Sequence, residues 1–170
     1  TKATFFTSSL AREIKATHGN AQIITANNVF AHADDLADIT QGIRSLLALD
    51  GVFVFEVSYL VDVFEKTLFD TVYHEHVSYW ALRPMQRLFR AYGFEAVAVE
   101  RLPIHHGQLR VFVRRSGQET PDASVQSLEE VELENGLANF ETFKSFAGRV
   151  IANVAMKCVL TPLQRSPTQA

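Results

Sequence analysis

A length of 170 residues suits one domain, or a piece of a larger one. The hydrophobic share of 47% allows a sizeable core, while a net charge of −3 with no basic stripe argues against nucleic acid as a partner. The one cysteine, Cys158, excludes an internal disulfide and a cysteine-rich zinc ribbon, and it fits a reducing, cytoplasmic setting.

In chain order, the opening TKATFFTSSL has no basic leader before a long apolar block, so no signal peptide is expected. A start on Thr1 inside an apolar-aromatic run is expected of a chain cut from something longer. Phe5 and Phe6 are expected to close a short strand, and Ser8 or Ser9 to cap a helix through His18, with Gly19 as its stop. AQIITANN, residues 21–28, reads as a short buried strand running into polar residues. Asp34 and Asp35 suit the start of a helix with Ile39, Ile43, Leu46 and Leu47 on its apolar face, ending at Asp50-Gly51. GVFVFEV is apolar on both faces, as in a central strand covered by helices. Pro84 suits a first helical turn, and Met85, Leu88, Phe89 and Tyr92 follow at i, i+3, i+4 and i+7 before Gly93. FEAVAVERL and QLRVFVRR read as two strands joined by PIHHG, short enough for an antiparallel hairpin.

The alternation of strands and helices implies an α/β fold with a parallel sheet, and the last strand-to-strand step adds one antiparallel strand near an edge. After Ser116 the composition changes: GQETPDA is a linker, and helical patterns follow over 124–133 and 140–157. The expected divisions are an α/β unit over 1–116, a helical linker over 117–158 and a disordered tail over 159–170. No stretch reaches the uninterrupted apolar length of a membrane span.

Ligands of open α/β sheets bind beyond the carboxyl ends of the strands, so the polar residues there come first. Asn27, Asn28 and His32 follow one strand, Glu56, Ser58 and Tyr59 the next, and His105 and His106 sit in the last strand connection. Such residues also serve as plain turn formers. Between them FDTVYHEHVSYW packs two histidines, a glutamate and two tyrosines into twelve residues. HxH alone signals a metal weakly, without HExxH or the usual acidic and cysteine ligands, so no metal is assigned. In one helical turn Tyr73 and His76, at i and i+3, share a face. Histidine titrates near neutrality, Glu75 beside it can fix its tautomer, and a tyrosine hydroxyl can donate to a developing oxyanion. These are parts for taking a proton from carbon next to a carbonyl; the competing reading is a surface loop with capping roles.

NNVFAH, DGVFVFEVSYL, FDTVYHEHVSYW and ERLPIHHGQLRVFV, in that order, resemble the sugar C-methyltransferases. These are S-adenosylmethionine-dependent enzymes that methylate a carbon of nucleotide-linked 4-keto-deoxysugars. The resemblance runs from about residue 5 to residue 112, with a weaker echo to about Val150. It implies a class I methyltransferase (Rossmann-like) sheet, mostly parallel with a terminal antiparallel strand. It also implies S-adenosylmethionine as cofactor and a nucleotide sugar as substrate. In the family a base removes a proton beside the sugar ketone, and the enolate carbon attacks the donor methyl. Carried over by motif, His76 is the base, Tyr73 and His32 stabilise or relay charge at the ketone oxygen, and Glu75 orients His76. Asn28 falls near the donor methyl or the sugar, and His105 and Gly107 shape the sugar-nucleotide pocket. An O- or N-methyltransferase and a non-catalytic α/β interaction module are the competing readings.

Members of that family also carry a cysteine-rich zinc domain, a glycine-rich cofactor loop after the first strand and a final nucleotide-fold domain, and this chain shows none of them. Zinc would belong to the first of these, and the cofactor-binding residues of this chain stay unassigned. The chain is expected to be an incomplete enzyme with weak or no cofactor binding of its own. His106 stands where the family's HGG turn has glycine, and Ser58 where proline is common. Half of a doubly wound sheet exposes a strand edge, so self-association is expected.

Overall fold

The computed structural model describes residues 1–72 and 74–160, the side chains of 157–160 excepted. Residues 1–6 form no strand, contrary to expectation; Phe6 packs against the core instead. Thr7 rather than Ser8 or Ser9 caps α1 (Ser8–His18), its hydroxyl accepting from the Leu10 amide. β1 (Ala21–Asn27) follows, then a 3-10 turn at Phe30–His32. The Asp35 carboxylate accepts from the Asp38 amide and opens α2 (Leu36–Leu46). That helix ends earlier than Asp50-Gly51, because the apolar residues Leu47 and Ala48 are buried in β2 (Leu47–Ser58). α3 (Leu60–Lys66) was not foreseen. LVDVFEK is rich in β-branched residues, and Tyr59 at its start gives no side-chain cap. The remaining elements are α4 (Leu82–Ala91), β3 (Phe94–Leu102), β4 (Gln108–Arg115), α5 (Ala123–Glu134) and α6 (Phe140–Leu160).

The four strands form one sheet in the order β1-β2-β4-β3. β1 and β2 are parallel, and β4 runs antiparallel to both β2 and β3. The hairpin foreseen at PIHHG therefore inserts its second strand between β2 and β3, one place in from the edge. Side chains alternate across each strand. Phe53, Phe55 and Val57 of β2 and Leu109, Val111 and Val113 of β4 enter the core with Met85 and Phe89 of α4. Phe30 is the hub: its ring lies 5.2 Å from Phe55, 5.5 Å from Trp80 and 5.7 Å from Phe53. The 3-10 turn bearing His32 is thus pinned by a fully buried ring. On the opposite face Val52, Val54 and Phe112 are only half-buried and stay outside that cluster.

The two sheet edges differ. The outer edge of β3 is closed by the segment leading into α5: the Asp122 amide donates to Val97 O at 2.8 Å, and the Ser124 hydroxyl accepts from the Val99 amide at 2.9 Å. The outer edge of β1 has no backbone partner among the described residues, and Ile23 on it is 66% exposed. No helix of the described residues is long and apolar enough to cross a membrane.

α5 packs into the core through Val125 and Leu128, and it carries the buried Glu132. Ala81 gives α4 no side-chain cap, so the Glu132 carboxylate does so from a distance in sequence. Leu82 N donates to one oxygen and Arg83 N to the other, the latter at 3.2 Å. Burial raises the pKa of Glu132 despite these donors. A carboxyl whose native pKa lies above its unfolded value stabilises the fold most when protonated, and that contribution is lost as pH rises from the ordinary glutamate range through the native value. Glu132→Gln should flatten this part of the stability–pH profile, as read by urea unfolding at stepped pH. A variant profile parallel to the wild type above the ordinary glutamate range would contradict it.

Candidate active site

Of the predicted site residues, Asn28 and His32 follow the carboxyl end of β1, and Glu75 and His76 lie in the loop after β2 and α3. The His32 and His76 rings meet, with centroids 5.0 Å apart and planes tilted by 51°. Each presents Nδ1 to a backbone carbonyl: His32 to Glu75 O at 2.8 Å and His76 to Thr71 O at 2.8 Å. A carbonyl can only accept, so each Nδ1 carries the proton and each Nε2 is the basic nitrogen of the neutral ring. The carbonyl of Glu75 ties the histidine loop to the 3-10 turn, and Ser78 N donates to Ala31 O at 3.1 Å as a second tie. The tautomer-fixing role expected of the Glu75 side chain falls to the Thr71 carbonyl. The Glu75 carboxylate is exposed and makes no hydrogen bond among the described residues. Tyr73 lies outside the described residues. The 3-10 turn in this loop falls at Phe69–Thr71.

Asn28 closes β1 in the left-handed conformation, φ +52, which asparagine tolerates better than most residues. Its Oδ1 accepts from Gln108 Nε2 at 2.7 Å, which leaves its Nδ2 as a donor. Gln108 was not foreseen; its Oε1 is buried and lacks a donor among the described residues. Asn28 and His32 line a cavity of about 460 Å³ together with Asp34, Asp35, Val29 and Ile39. S-adenosylmethionine joins a sulfonium cation to an aromatic base. The cavity fits such a group in size and in sign, with carboxylates on one side and apolar side chains on the other.

The two other predicted substrate residues sit on the β3–β4 turn. His105 is exposed, and no hydrogen bond or ring contact joins it to the histidine pair among the described residues. Gly107 is buried against Asp62 of α3, a residue that is 2% exposed. Asp62 receives Arg101 Nε at 2.9 Å and Nη2 at 3.0 Å, and Lys66 Nζ at 2.6 Å. Lys66 also donates to His106 O at 2.7 Å, so α3 clamps the turn. Burial acts to raise the pKa of Asp62, but Arg101 and Lys66 outweigh it and hold the carboxyl below its usual range. Arg101 also lies over the Tyr59 ring, 5.5 Å from its centroid. Burial first, and the nearby Glu132 charge second, push the Tyr59 hydroxyl upward, so it stays neutral.

Both central residues of the turn have positive φ, +47 at His105 and +69 at His106, closed by Gly107 N donating to Ile104 O at 2.9 Å. A β-carbon there costs roughly 1–2 kcal/mol, whereas glycine loses about 0.5–1 kcal/mol more chain entropy on folding. Strain relief wins by a small margin. His106→Gly should therefore raise Tm by about 1–3 °C in a thermal melt. A lower Tm would show that the imidazole contributes more than its backbone costs.

The family model described as "Methyltransferase domain" matches residues 2–99. C-methyltransferase NovU of Streptomyces niveus is 36% identical over 144 residues, which is 84% of this chain and 34% of NovU. The chain thus spans about a third of that relative's length. Among solved structures, a SAM-dependent methyltransferase from Anabaena variabilis aligns with TM-score 0.48 at 15% identity, over 65% of this chain and 55% of that one. Magnesium protoporphyrin IX methyltransferase from Synechocystis, with bound SAH, aligns with TM-score 0.45 at 9% identity, over 57% of this chain and 46% of that one.

Proposed function

The chain belongs to the methyltransferase-domain family, and on that premise we propose that it forms the substrate-side half of a SAM-dependent sugar C-methyltransferase. The observation that carries this reading is the histidine pair, each ring held at Nδ1 by a backbone carbonyl, the centroids 5.0 Å apart and His32 lining the cavity at the strand ends. In this reading residues 1–116 are the second half of the catalytic domain, and 117–158 are the helices leading out of it. The substrate is a nucleotide-linked 4-keto-deoxysugar. Bound S-adenosylmethionine supplies an electrophilic methyl group and a neutral leaving group. The chain supplies the rest: His76 Nε2 takes the proton from the carbon beside the ketone, leaving the electron pair to form the new carbon–carbon bond. His32 stabilises or relays charge at the ketone oxygen, sharing that task with Tyr73. Asn28 Nδ2 donates to donor or sugar, and the His105–Gly107 turn borders the nucleotide.

The test is labelled donor with a dTDP-4-keto-6-deoxysugar and the full-length protein, with the product read by NMR. A C-methyl product is expected. Donor binding without transfer to carbon refutes the reading, and an O-methyl product replaces it with the competing one. For the chain alone, the open β1 edge and the exposed Phe140 and Ile151 of α6 favour self-association. Sedimentation velocity should show a concentration-dependent shift, and a monomer at all concentrations would exclude it.

A further inference from the structure

The Thr71 carbonyl takes two donors. His76 Nδ1 reaches it at 2.8 Å, and the Tyr79 hydroxyl at 3.2 Å. A carbonyl oxygen has two lone pairs, so both are in use. Thr71 is itself held: its hydroxyl donates to Leu68 O at 2.7 Å, and Val72 N closes the 3-10 turn on Phe69 O at 3.0 Å. The Tyr79 ring stands edge-on to the imidazole, with centroids 6.2 Å apart and planes at 89°. Trp80, next in sequence, is 5% exposed and packs on Phe30, so the backbone that carries Tyr79 is anchored in the core.

We propose that Tyr79 is a positioning residue for His76: its hydroxyl and the imidazole share the Thr71 carbonyl, and this holds the ring with Nδ1 protonated and Nε2 basic. The inference rests on the reading of His76 as the base where catalysis is concerned, but the hold on the ring stands on geometry alone. By donating to the same oxygen from a second direction, the hydroxyl fixes where that carbonyl points. The edge of its ring limits the swing of the imidazole. Without the hydroxyl the carbonyl loses one of its holds, and the ring can exchange its proton to Nε2, which is then no longer a base.

The experiment uses the chain labelled with 15N-histidine, at a pH where the rings are neutral. Long-range 15N–1H correlation reads which ring nitrogen carries the proton, and a His76→Gln sample assigns the resonance. In the wild type His76 is expected as the Nδ1–H tautomer. Tyr79→Phe keeps the edge contact and removes only the hydroxyl; the ratio of Nδ1–H to Nε2–H should fall by roughly threefold to tenfold, the worth of one hydrogen bond. Tyr79→Leu, which also removes the ring, should fall further, with thermal melts confirming that both variants fold. An unchanged ratio in Tyr79→Phe overturns the proposal whatever the activity. A shifted ratio, together with hydrogen exchange that persists in full-length His76→Ala, removes the base assignment and leaves the hold of Tyr79 on the ring in place.

Discussion

In the full-length protein, His76→Ala should reduce exchange of the hydrogen beside the sugar ketone by roughly 10²–10⁴-fold, the usual worth of a general base. A carbon beside a ketone gives up its proton slowly, so the base must be neutral, oriented and close. His76 meets the condition of orientation through Thr71, whose carbonyl accepts from Nδ1. His32 is a rival base in ring contact with it, and the same logic of tautomer applies. The comparison is therefore a pair of variants. His32→Ala should weaken stabilisation of the oxygen and slow methyl transfer more than it alters the site of deprotonation. The measurement is solvent deuterium incorporation without methyl donor, followed by NMR. Exchange surviving in His76→Ala but lost in His32→Ala would exchange the two roles.

Gly107→Ala should cost about 3–5 kcal/mol of folding stability, the range for breaking a buried ion pair. A β-carbon at Gly107 would lie 2.5 Å from both Cβ and Oδ2 of Asp62, far inside contact distance, and φ of +127 is a region closed to alanine. Asp62 cannot swing aside cheaply, because Arg101 and Lys66 hold both its oxygens. Backbone strain of about 1–3 kcal/mol is the smaller effect, and the lost clamp is the larger. The double variant separates them. With Asp62→Ala already made, adding Gly107→Ala should cost only the strain, so the two changes are far from additive. Acid supports the same assignment. Since the native pKa of Asp62 is depressed, its contribution is full above the ordinary aspartate range and lost as pH falls through the native value. A Gly107→Ala protein within about 1 kcal/mol of wild type by urea unfolding would mean that the clamp yields without loss.

Much of this was legible because each local pattern had one easy solution. The both-sided apolar run GVFVFEV could only be an inner strand, and it is β2, flanked by β1 and β4. PIHHG could only be a tight return, and it is. The meeting of position 32 with position 76 followed from strand-end placement, and the rings lie 5.0 Å apart. What escaped was whatever depends on partners far along the chain. Glu132 sits in a Glu-rich helix that reads as a solvated face, yet it caps α4 some fifty residues earlier. Asp62 reads as one more charge in a weak helix pattern, and only the folded hairpin gives it Arg101. Gln108 and Tyr79 act through a neighbour's amide and a main-chain carbonyl, and no motif marks either. The Glu75 assignment was natural because a carboxylate next to an imidazole is a common arrangement, but Glu75 lies in a turn with its side chain exposed, and the Thr71 carbonyl takes the His76 Nδ1.

The plug at Asp122 and Ser124 makes the sheet one-ended. Among the described residues β1 is the edge left open, so two copies of this chain joined through β1 would satisfy each other and present no second open edge to a third. Assembly by that route stops at a twofold pair and cannot propagate into a fibre.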